Sequence, residues 1–287
     1  MLNRWIGITC LTFMLSANAL LFIRDILPTW LTGDPPLLVA DSPAIGLKQQ
    51  AQLGIFDDEG RVVGRNWTIS ETQGLFLEVN SCTLLRPVML PNGIATPEVR
   101  IDTRLRYRQE DGMLSELVLT LRGLPTSIRL RGEFMPPDEF ACSWKVGYQP
   151  GGTFVLPAEA TRALGDVFRP FARLPGLYVG RTWRLNILDP LAHILPGLKD
   201  QSMLAEPIIV RVTGKEQIQQ AGQMIEAYIV EAPRTKAWVA SDGNVLRQEL
   251  ELPILGKLIL RAESFDGEAY KNAKQWPPYL NQQEDEE

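Results

Sequence analysis

The residues best suited to bind a ligand occur in a phrase that the chain contains twice. The stretch GRVVGRNW at 60–67 agrees at five of eight positions with GLYVGRTW at 176–183. Residues two apart in a strand lie on one face, so the arginine and tryptophan of each phrase could line a ligand groove. Alternatively, each tryptophan fills the core and the arginine stacks against it. The candidate residues are Arg65, Trp67, Arg181 and Trp183.

Side chains suited to catalysis are scarce. His193 is the single histidine of the sequence, and Asp189 stands four residues before it. The two could share one face of a helix, but sequence does not place a nucleophile beside them. No second metal ligand stands at the right spacing from His193, and the chain contains no glycine-rich phosphate loop. We therefore predict a non-enzyme without catalytic residues, metal or cofactor, and a hydrolase using His193 is the third functional hypothesis.

The overall composition is that of a folded, slightly acidic protein. The 287 residues are 45% hydrophobic and 22% charged, which provides enough apolar material for a core. The net charge is −5, and lysines and arginines are interspersed with acidic residues. Nucleic-acid binding needs a concentrated basic face, so we expect no nucleic-acid partner.

The N-terminus contains an uncharged apolar stretch of nineteen residues, WIGITCLTFMLSANALLFI, at 5–23. A membrane-crossing helix needs roughly 20 such residues, whereas a cleavable signal core has about 7–15. The stretch therefore predicts an uncleaved transmembrane anchor at 1–25, with cleavage of a signal peptide at the small-x-small pattern of 17–19 as the alternative. Because Arg4 precedes the stretch, the positive-inside rule predicts a cytoplasmic N-terminus and a periplasmic C-terminal part.

Two cysteines follow the apolar stretch, Cys82 and Cys142. In an oxidising compartment they could form a disulfide, and the alternative is a pair of buried thiols. The sequence leaves both readings open, because bonding requires a Cα separation of roughly 4.4–6.8 Å.

The rest of the chain shows a hydrophobic period of two between a proline-rich stalk at 26–50 and a polar acidic tail at 271–287. In RIDTRLRYR (100–108), residues of one face alternate with charged residues of the other, which is typical of a half-buried strand. Within the stalk and just beyond it, 44–53 could form a short helix that leads into the first strand. The composition of these segments predicts a mainly β protein.

Two hairpin signals follow the repeated phrase in the same order. Asp-Gly at 111–112 and at 242–243 supplies the positive φ of a tight strand reversal. Tyr107 and Trp238 each stand four residues before the aspartate and complete the set of candidate ligand-binding residues. Any β-rich protein could contain such hairpins, but the recurring order indicates a duplication. The predicted β-rich repeats are 51–155 and 156–270, the second with an insertion at 188–204.

One segment has helical rather than strand periodicity. Residues 157–176 begin with a proline and carry apolar side chains at helical spacing. With the insertion at 188–204, this segment could cover the open face of a curved sheet. The space between them could hold an acyl chain or another apolar ligand, and the alternative is that the apolar stripe seals the core.

At GLYVGRTWRLNIL (176–188) and KAWVASDGNVLRQELEL (236–252), the chain resembles a bacterial envelope family of unknown function. Units of that family often precede periplasmic transglutaminase-like domains. They are similar in shape to the lipoprotein-carrier half-barrel, a curved antiparallel sheet that wraps a helix. The resemblance covers 50–270 and implies two such units. It implies no catalytic residue, since none is established for the family and the transglutaminase domain is missing here.

These observations combine into one expected architecture and three ranked functions. The predicted fold is mainly β (α+β), with a transmembrane helix followed by two tandem duplicated curved antiparallel sheets, each with a short helix. The leading hypothesis is a membrane-anchored, extracytoplasmic binding protein of the cell envelope. Its ligand would be a lipid or other apolar molecule, a cell-wall component or an envelope partner protein. The runner-up is a scaffold or accessory subunit of a membrane complex or a transglutaminase-like system.

Overall fold

The structure, a computed structural model, describes six segments of the chain: 42–88, 95–123, 126–157, 173–185, 208–252 and 256–275. It also describes six single positions, which are Met14, Asn18, Leu20, Gly33, Pro36 and Thr161. Within this part of the chain, no helix has the length and apolar character that a membrane crossing requires.

This result corrects the prediction that the N-terminus forms a transmembrane helix. It contradicts the predicted transmembrane anchor at 1–25 and the extracytoplasmic location that followed from it. The apolar stretch at 5–23, on which the prediction rested, lies outside the described residues apart from Met14, Asn18 and Leu20.

In the described part of the chain, fourteen antiparallel strands form one sheet. Eight of them lie between residues 48 and 157: β1 (Lys48–Phe56), β2 (Val62–Gln73), β3 (Phe76–Leu85), β4 (Val99–Arg108), β5 (Leu114–Arg122), β6 (Ile128–Met135), β7 (Glu139–Val146) and β8 (Gln149–Pro157). Six come from the second half: β9 (Thr182–Leu185), β10 (Ile208–Gln220), β11 (Gln223–Ala232), β12 (Thr235–Ala240), β13 (Val245–Leu252) and β14 (Gly256–Glu263). The spatial order is β8-β7-β6-β5-β4-β3-β2-β1-β14-β13-β12-β11-β10-β9, so the first and last strands pair in the middle.

The strands form where the sequence alternates, and they reverse where it supplies Asp-Gly. In β4, Leu105 and Tyr107 are buried on one face, whereas the arginines that alternate with them in sequence lie on the other face. Both predicted Asp-Gly hairpins form, joining β4 to β5 and β12 to β13. Gly112 has a φ of 68° and Gly243 a φ of 85°, in the left-handed region where glycine is favoured.

Cross-strand partners lie on the same side of a sheet, so the register assigns each strand residue to one of two faces. Face A carries most of the apolar core, in clusters that include Leu53, Leu105 and Val239. Face B carries the ion pairs between β3, β4 and β5, and two smaller apolar clusters that include Trp67 and Trp238.

The helix α1 (Gly267–Gln275) packs on face B against β3. Asp266 caps its N-terminus, where the Oδ1 atom accepts hydrogen bonds from two backbone N–H groups of the first turn at 3.1 and 2.9 Å. At the other end, the buried Arg100 of β4 donates Nη1 to the carbonyl of Lys274 at 2.5 Å. A cation at this position also complements the helix dipole. The helix is therefore capped at its start by the preceding residue and held at its end by a residue of the sheet.

The predicted fold class is wrong, because a single sheet replaces the two expected sheets. The two halves are joined through β1 and β14, where Gln52 lies opposite Glu263. α1 is the only bounded helix in the described segments, so a helix for each sheet is not found there. The helix predicted at 44–53 is also wrong: β1 begins at Lys48 and is hydrogen-bonded on both sides, by β2 and by β14.

The topology also contradicts the predicted duplication. β2, which carries Trp67, runs in the same direction as β4, because one antiparallel strand lies between them. β9, which carries Trp183, runs opposite to β12, because two strands lie between them. The repeated phrase and the hairpin are thus related differently in the two halves, so these two features do not recur as one duplicated unit. The insertion predicted at 188–204 and most of the helix predicted at 157–176 lie outside the described residues.

Candidate functional site

The two tryptophans of the repeated phrase lie on opposite faces of the sheet. Trp67 is on face B, opposite Cys82 of β3, and packs against Ala273 of α1. Trp183 is on face A, within the apolar cluster that includes Val239. Each is only 3% exposed. They do not line a common groove, and the shared sequence does not give them a shared environment.

The two arginines of the phrase differ in the same way. Arg181 precedes β9 and donates Nη1 to the carbonyl of Gly176 at 2.6 Å. Its guanidinium carbon lies 5.9 Å from the ring centroid of Trp183. Arg65, on face B, donates Nε to Glu263 at 3.3 Å, and 38% of its side chain is exposed. Of these two arginines, Arg65 lines a groove.

The other two aromatic candidates are parts of the core. Tyr107 is buried on face A among the side chains of β3 to β8. Trp238 is buried on face B, and its indole Nε1 donates to Glu216 at 2.9 Å. The cationic groups of Lys236 and Arg247 lie 5.0 and 4.9 Å from its ring. These contacts are cation–π interactions that stabilise the sheet.

Cys82 and Cys142 are free thiols, and no disulfide joins them. Cys82 lies on face B and Cys142 on face A, both fully or almost fully buried. Burial raises the pKa of each thiol to about 12, and the nearby carboxylate of Asp102 contributes at Cys82. Since the thiolate is the reactive form, neither is suited to nucleophilic chemistry.

Metal binding finds no support in the described segments. No group of three or more histidine, cysteine, aspartate or glutamate side chains there could hold a metal ion. His193 and Asp189 lie outside the described residues, so the hypothesis of a hydrolase using His193 stays a prediction.

A groove of about 300 Å³ lies on face B between α1, the start of β2 and the end of β3. Its apolar lining consists of Val62 and Trp67 from β2, Leu84 from β3, and Ala269 and Ala273 from α1. The two alanines are four residues apart and therefore share one side of the helix. Because they are small, the helix lies close to the sheet and still leaves space over the tryptophan.

Gly64 and three polar side chains complete the lining; the polar residues are Arg65, Arg86 and Asn272. Arg65 forms an ion pair with Glu263, as described above. Arg86 is exposed, and its side chain makes no hydrogen bond or ion pair with the described part of the protein. The groove thus combines an apolar lining with a guanidinium group that the fold does not use.

Trp67, which lines this groove, carries an unsatisfied polar atom, its indole Nε1. It is buried and has no hydrogen-bond acceptor in the structure. Burying a donor without an acceptor costs about 1–3 kcal/mol, so such a group calls for an explanation. An oxygen atom brought by a ligand would provide the missing acceptor.

A second cleft of about 320 Å³ lies where β14 ends beside the first residues of β1. Its charged residues are already engaged: Arg173 donates to the carbonyl of Asp242, and Glu263 accepts from Gln52 and Arg65. Amides and hydroxyls make up most of its remaining polar lining. The groove beside α1 is therefore the stronger candidate for a charged or amphipathic ligand.

Sequence reasoning found part of this groove and missed the rest. It singled out Arg65 and Trp67, but it placed the start of the polar tail at 271, inside α1. The signal for the helix was Asp266, a preferred capping residue, followed by an acidic side chain in the first turn. Nothing in the local sequence indicated that Arg86 would lie beside the same groove.

Comparison of the chain with known protein families, with characterised proteins and with solved structures finds no match. The resemblance to the bacterial envelope family therefore stays a prediction. The geometry of the groove is the basis on which a function can be argued.

Proposed function

We propose that this is a non-enzymatic binding protein whose groove beside α1 takes a small amphipathic anion. The observation that carries the proposal is the unpartnered guanidinium of Arg86 beside an apolar groove, on a chain whose net charge is −5. A cation that pairs with nothing in the described part of the protein is available for a ligand anion. The prediction of an apolar ligand is thereby extended to a ligand with a charged head group.

The size and lining of the groove define the ligand class. A volume of about 300 Å³ is at the lower end of the roughly 300–1,000 Å³ of small-molecule sites. The apolar side chains would contact an alkyl chain or a single ring. The guanidinium groups of Arg65 and Arg86 favour a carboxylate, which they can contact through two parallel N–H groups.

The indole of Trp67 supports the same ligand class. Its buried Nε1 needs an acceptor oxygen, which a carboxylate provides and a hydrocarbon does not. In the free protein, the unpaired donor is destabilising. A bound carboxylate would accept its hydrogen bond and remove this free-energy cost, which would contribute to the affinity. The alternative function, a scaffold with filled cores, gives no role to this donor or to Arg86.

The experiment compares three probes with the same alkyl chain and different heads: octanoate, octanol and octylammonium. The readout is the ¹H–¹⁵N signal of the Trp67 indole, identified among those of the seven tryptophans by its loss in Trp67→Phe. We expect octanoate to shift this signal saturably. Octanol should bind at least tenfold more weakly, and octylammonium should leave the signal unchanged.

A matched pair of variants tests the role of charge. Arg86→Gln should weaken octanoate binding about tenfold, or about 1.4 kcal/mol, the low end for a charge-assisted hydrogen bond at an exposed position. Arg131→Gln removes the same charge from an exposed position of β6 on the same face, outside the groove, and should bind octanoate normally. Equal affinities for octanol and octanoate, or an unmoved Trp67 signal, would refute the proposal.

A further inference from the structure

Glu263 places a negative charge beside the groove. Its Oε2 atom is 3.3 Å from the Nε atom of Arg65, which lines the groove together with Arg86. Two positive charges and one negative charge leave a net charge of +1 at the site. We propose that Glu263 is a specificity-determining residue, whose carboxylate selects ligands with a single negative charge. This inference rests on the proposed function, because it concerns the ligand of the same groove.

The fold holds this carboxylate in place. Gln52 of β1 lies opposite Glu263 in the strand register, is 5% exposed, and donates Nε2 to the Oε2 atom of Glu263 at 2.8 Å. The Oε1 atom of Gln52 accepts the backbone N–H of Asp266 at 2.8 Å, so both polar atoms of the glutamine are hydrogen-bonded. The glutamate is therefore anchored to the middle of the sheet, and its charge stays beside an arriving ligand.

A glycine in β1 provides the space that the carboxylate occupies. Gly54 lies opposite Arg65, and a Cβ atom at this position would overlap the Glu263 side chain. The carboxylate therefore lies over the backbone of β1, next to Arg65. It accepts from the Nε atom of Arg65, whose two terminal amino groups make no hydrogen bond within the described part of the chain. These amino groups are available to a ligand, but the ion pair reduces the positive charge that the ligand experiences.

Charge can select between ligands because attraction and desolvation depend on it differently. Attraction to the groove grows in proportion to the ligand's charge, whereas the cost of removing the head group from water grows roughly with the square of that charge. A site with a net charge of +1 therefore compensates for the desolvation of a monoanion better than for that of a dianion. Arg261, two residues earlier on β14, does not alter this balance at the lining, because it stacks on Phe56 at 5.1 Å and lies outside the groove.

Octyl sulfate and octyl phosphate test the inference in the unmodified full chain. The two head groups have the same tetrahedral shape, but at about pH 8 the sulfate carries one negative charge and the phosphate about two. With the Trp67 indole signal as the readout, octyl sulfate should bind more tightly than octyl phosphate. Tighter binding of octyl phosphate would overturn the inference, and this comparison does not depend on the folding of a variant.

Glu263→Gln should strengthen binding in steps that follow the charge of the ligand. The glutamine keeps an acceptor oxygen for Gln52 and removes the negative charge. We expect no gain for octanol, about tenfold for octyl sulfate and about a hundredfold for octyl phosphate, because the repulsion that is removed doubles with the second charge.

Glu78→Gln is the matched control. Glu78 of β3 also lies on face B, accepts a side-chain amide N–H, from Asn80, at 2.7 Å, and is 3.5 Å from the Nε atom of an arginine, Arg104. It lies outside the groove, so this variant should change none of the three affinities.

Octanoate separates this inference from the proposed function. If octanoate fails to shift the Trp67 signal, the proposed function is refuted, and the inference with it. If octanoate binds but Glu263→Gln changes the affinities for octanol, octyl sulfate and octyl phosphate by the same factor, the residue acts only on the structure of the groove. That result would overturn the inference and leave the proposed function intact.

Discussion

Replacement of Arg100 by methionine is the most direct test of how α1 is held on the sheet. The residue is 4% exposed and lies within two sets of contacts. Its Nε is 2.7 Å from the carboxylate of Asp102, and its Nη1 donates to the carbonyl of Lys274 at 2.5 Å. Methionine keeps an apolar side chain in the same space but makes neither contact. The substitution therefore removes an ion pair and a helix-terminal hydrogen bond together.

The expected loss of unfolding free energy is about 3 kcal/mol. Removing one partner of a buried ion pair typically costs about 3–5 kcal/mol, because the other charge is left uncompensated. Here Asp102 keeps a second cation, since Nη1 of Arg122 lies 3.0 Å from its Oδ2 atom. The cost should therefore fall at the lower end of that range, with the lost bond to Lys274 included.

The assay is urea unfolding of Arg100→Met beside Arg104→Met. Arg104 is on the same strand and the same face, but its side chain is 48% exposed and its Nε is 3.5 Å from Glu78. Exposed pairs are worth about 0.2–1 kcal/mol, so this control should lose little stability. Equal losses in the two variants would show that the buried contacts of Arg100 do not hold the helix.

Two further predictions concern the N-terminal cap of α1 and the ion pairs of Glu249. Asp266→Ala should lose about 1 kcal/mol of unfolding free energy and speed amide exchange at Ala269, and Asp266→Asn should restore most of it because asparagine also caps helices. At Glu249, burial would raise the pKa, but the hydrogen bond from Lys257 and the charge of Arg247 outweigh it and hold the pKa below 4.5. Glu249→Gln should therefore be less stable than the unmodified chain at neutral pH. That deficit should disappear in unfolding measurements as pH falls through the native pKa; a deficit that persists would contradict the ion-pair explanation.

The strands were predictable from sequence because their signal is local. Alternation in β4 and the Asp-Gly turns follow from residues within a few positions of each other, and both appear as predicted. Gly60 and Gly176, where the repeated phrase begins, also have positive φ, which is typical of glycine in turns. Local rules thus gave the elements and several of the reversals correctly.

The arrangement of the strands was not predictable, because it depends on partners far away in the chain. The phrase G-x-x-V-G-R-x-W is compatible with two environments: Gly64 lies within β2, whereas Gly180 lies in the turn before β9 with a φ of 91°. Which face each tryptophan takes is set by its neighbouring strands, not by the phrase. The same limit explains why Arg86 was missed, since it reaches the groove only through the packing of α1 on β3.

The pairing of β1 with β14 has a consequence for how the protein is made. The hydrogen bond from Gln52 to Glu263 joins residues that are 211 positions apart. During synthesis β1 can pair with β2 early, but it lacks its other partner until β14 has left the ribosome. Pairing of strands so far apart in the sequence is slow compared with the formation of hairpins between neighbouring strands. Nascent chains therefore spend time with one edge of β1 unpaired by β14. A chain that stops short of β14 would expose this site, where cellular quality control could recognise it.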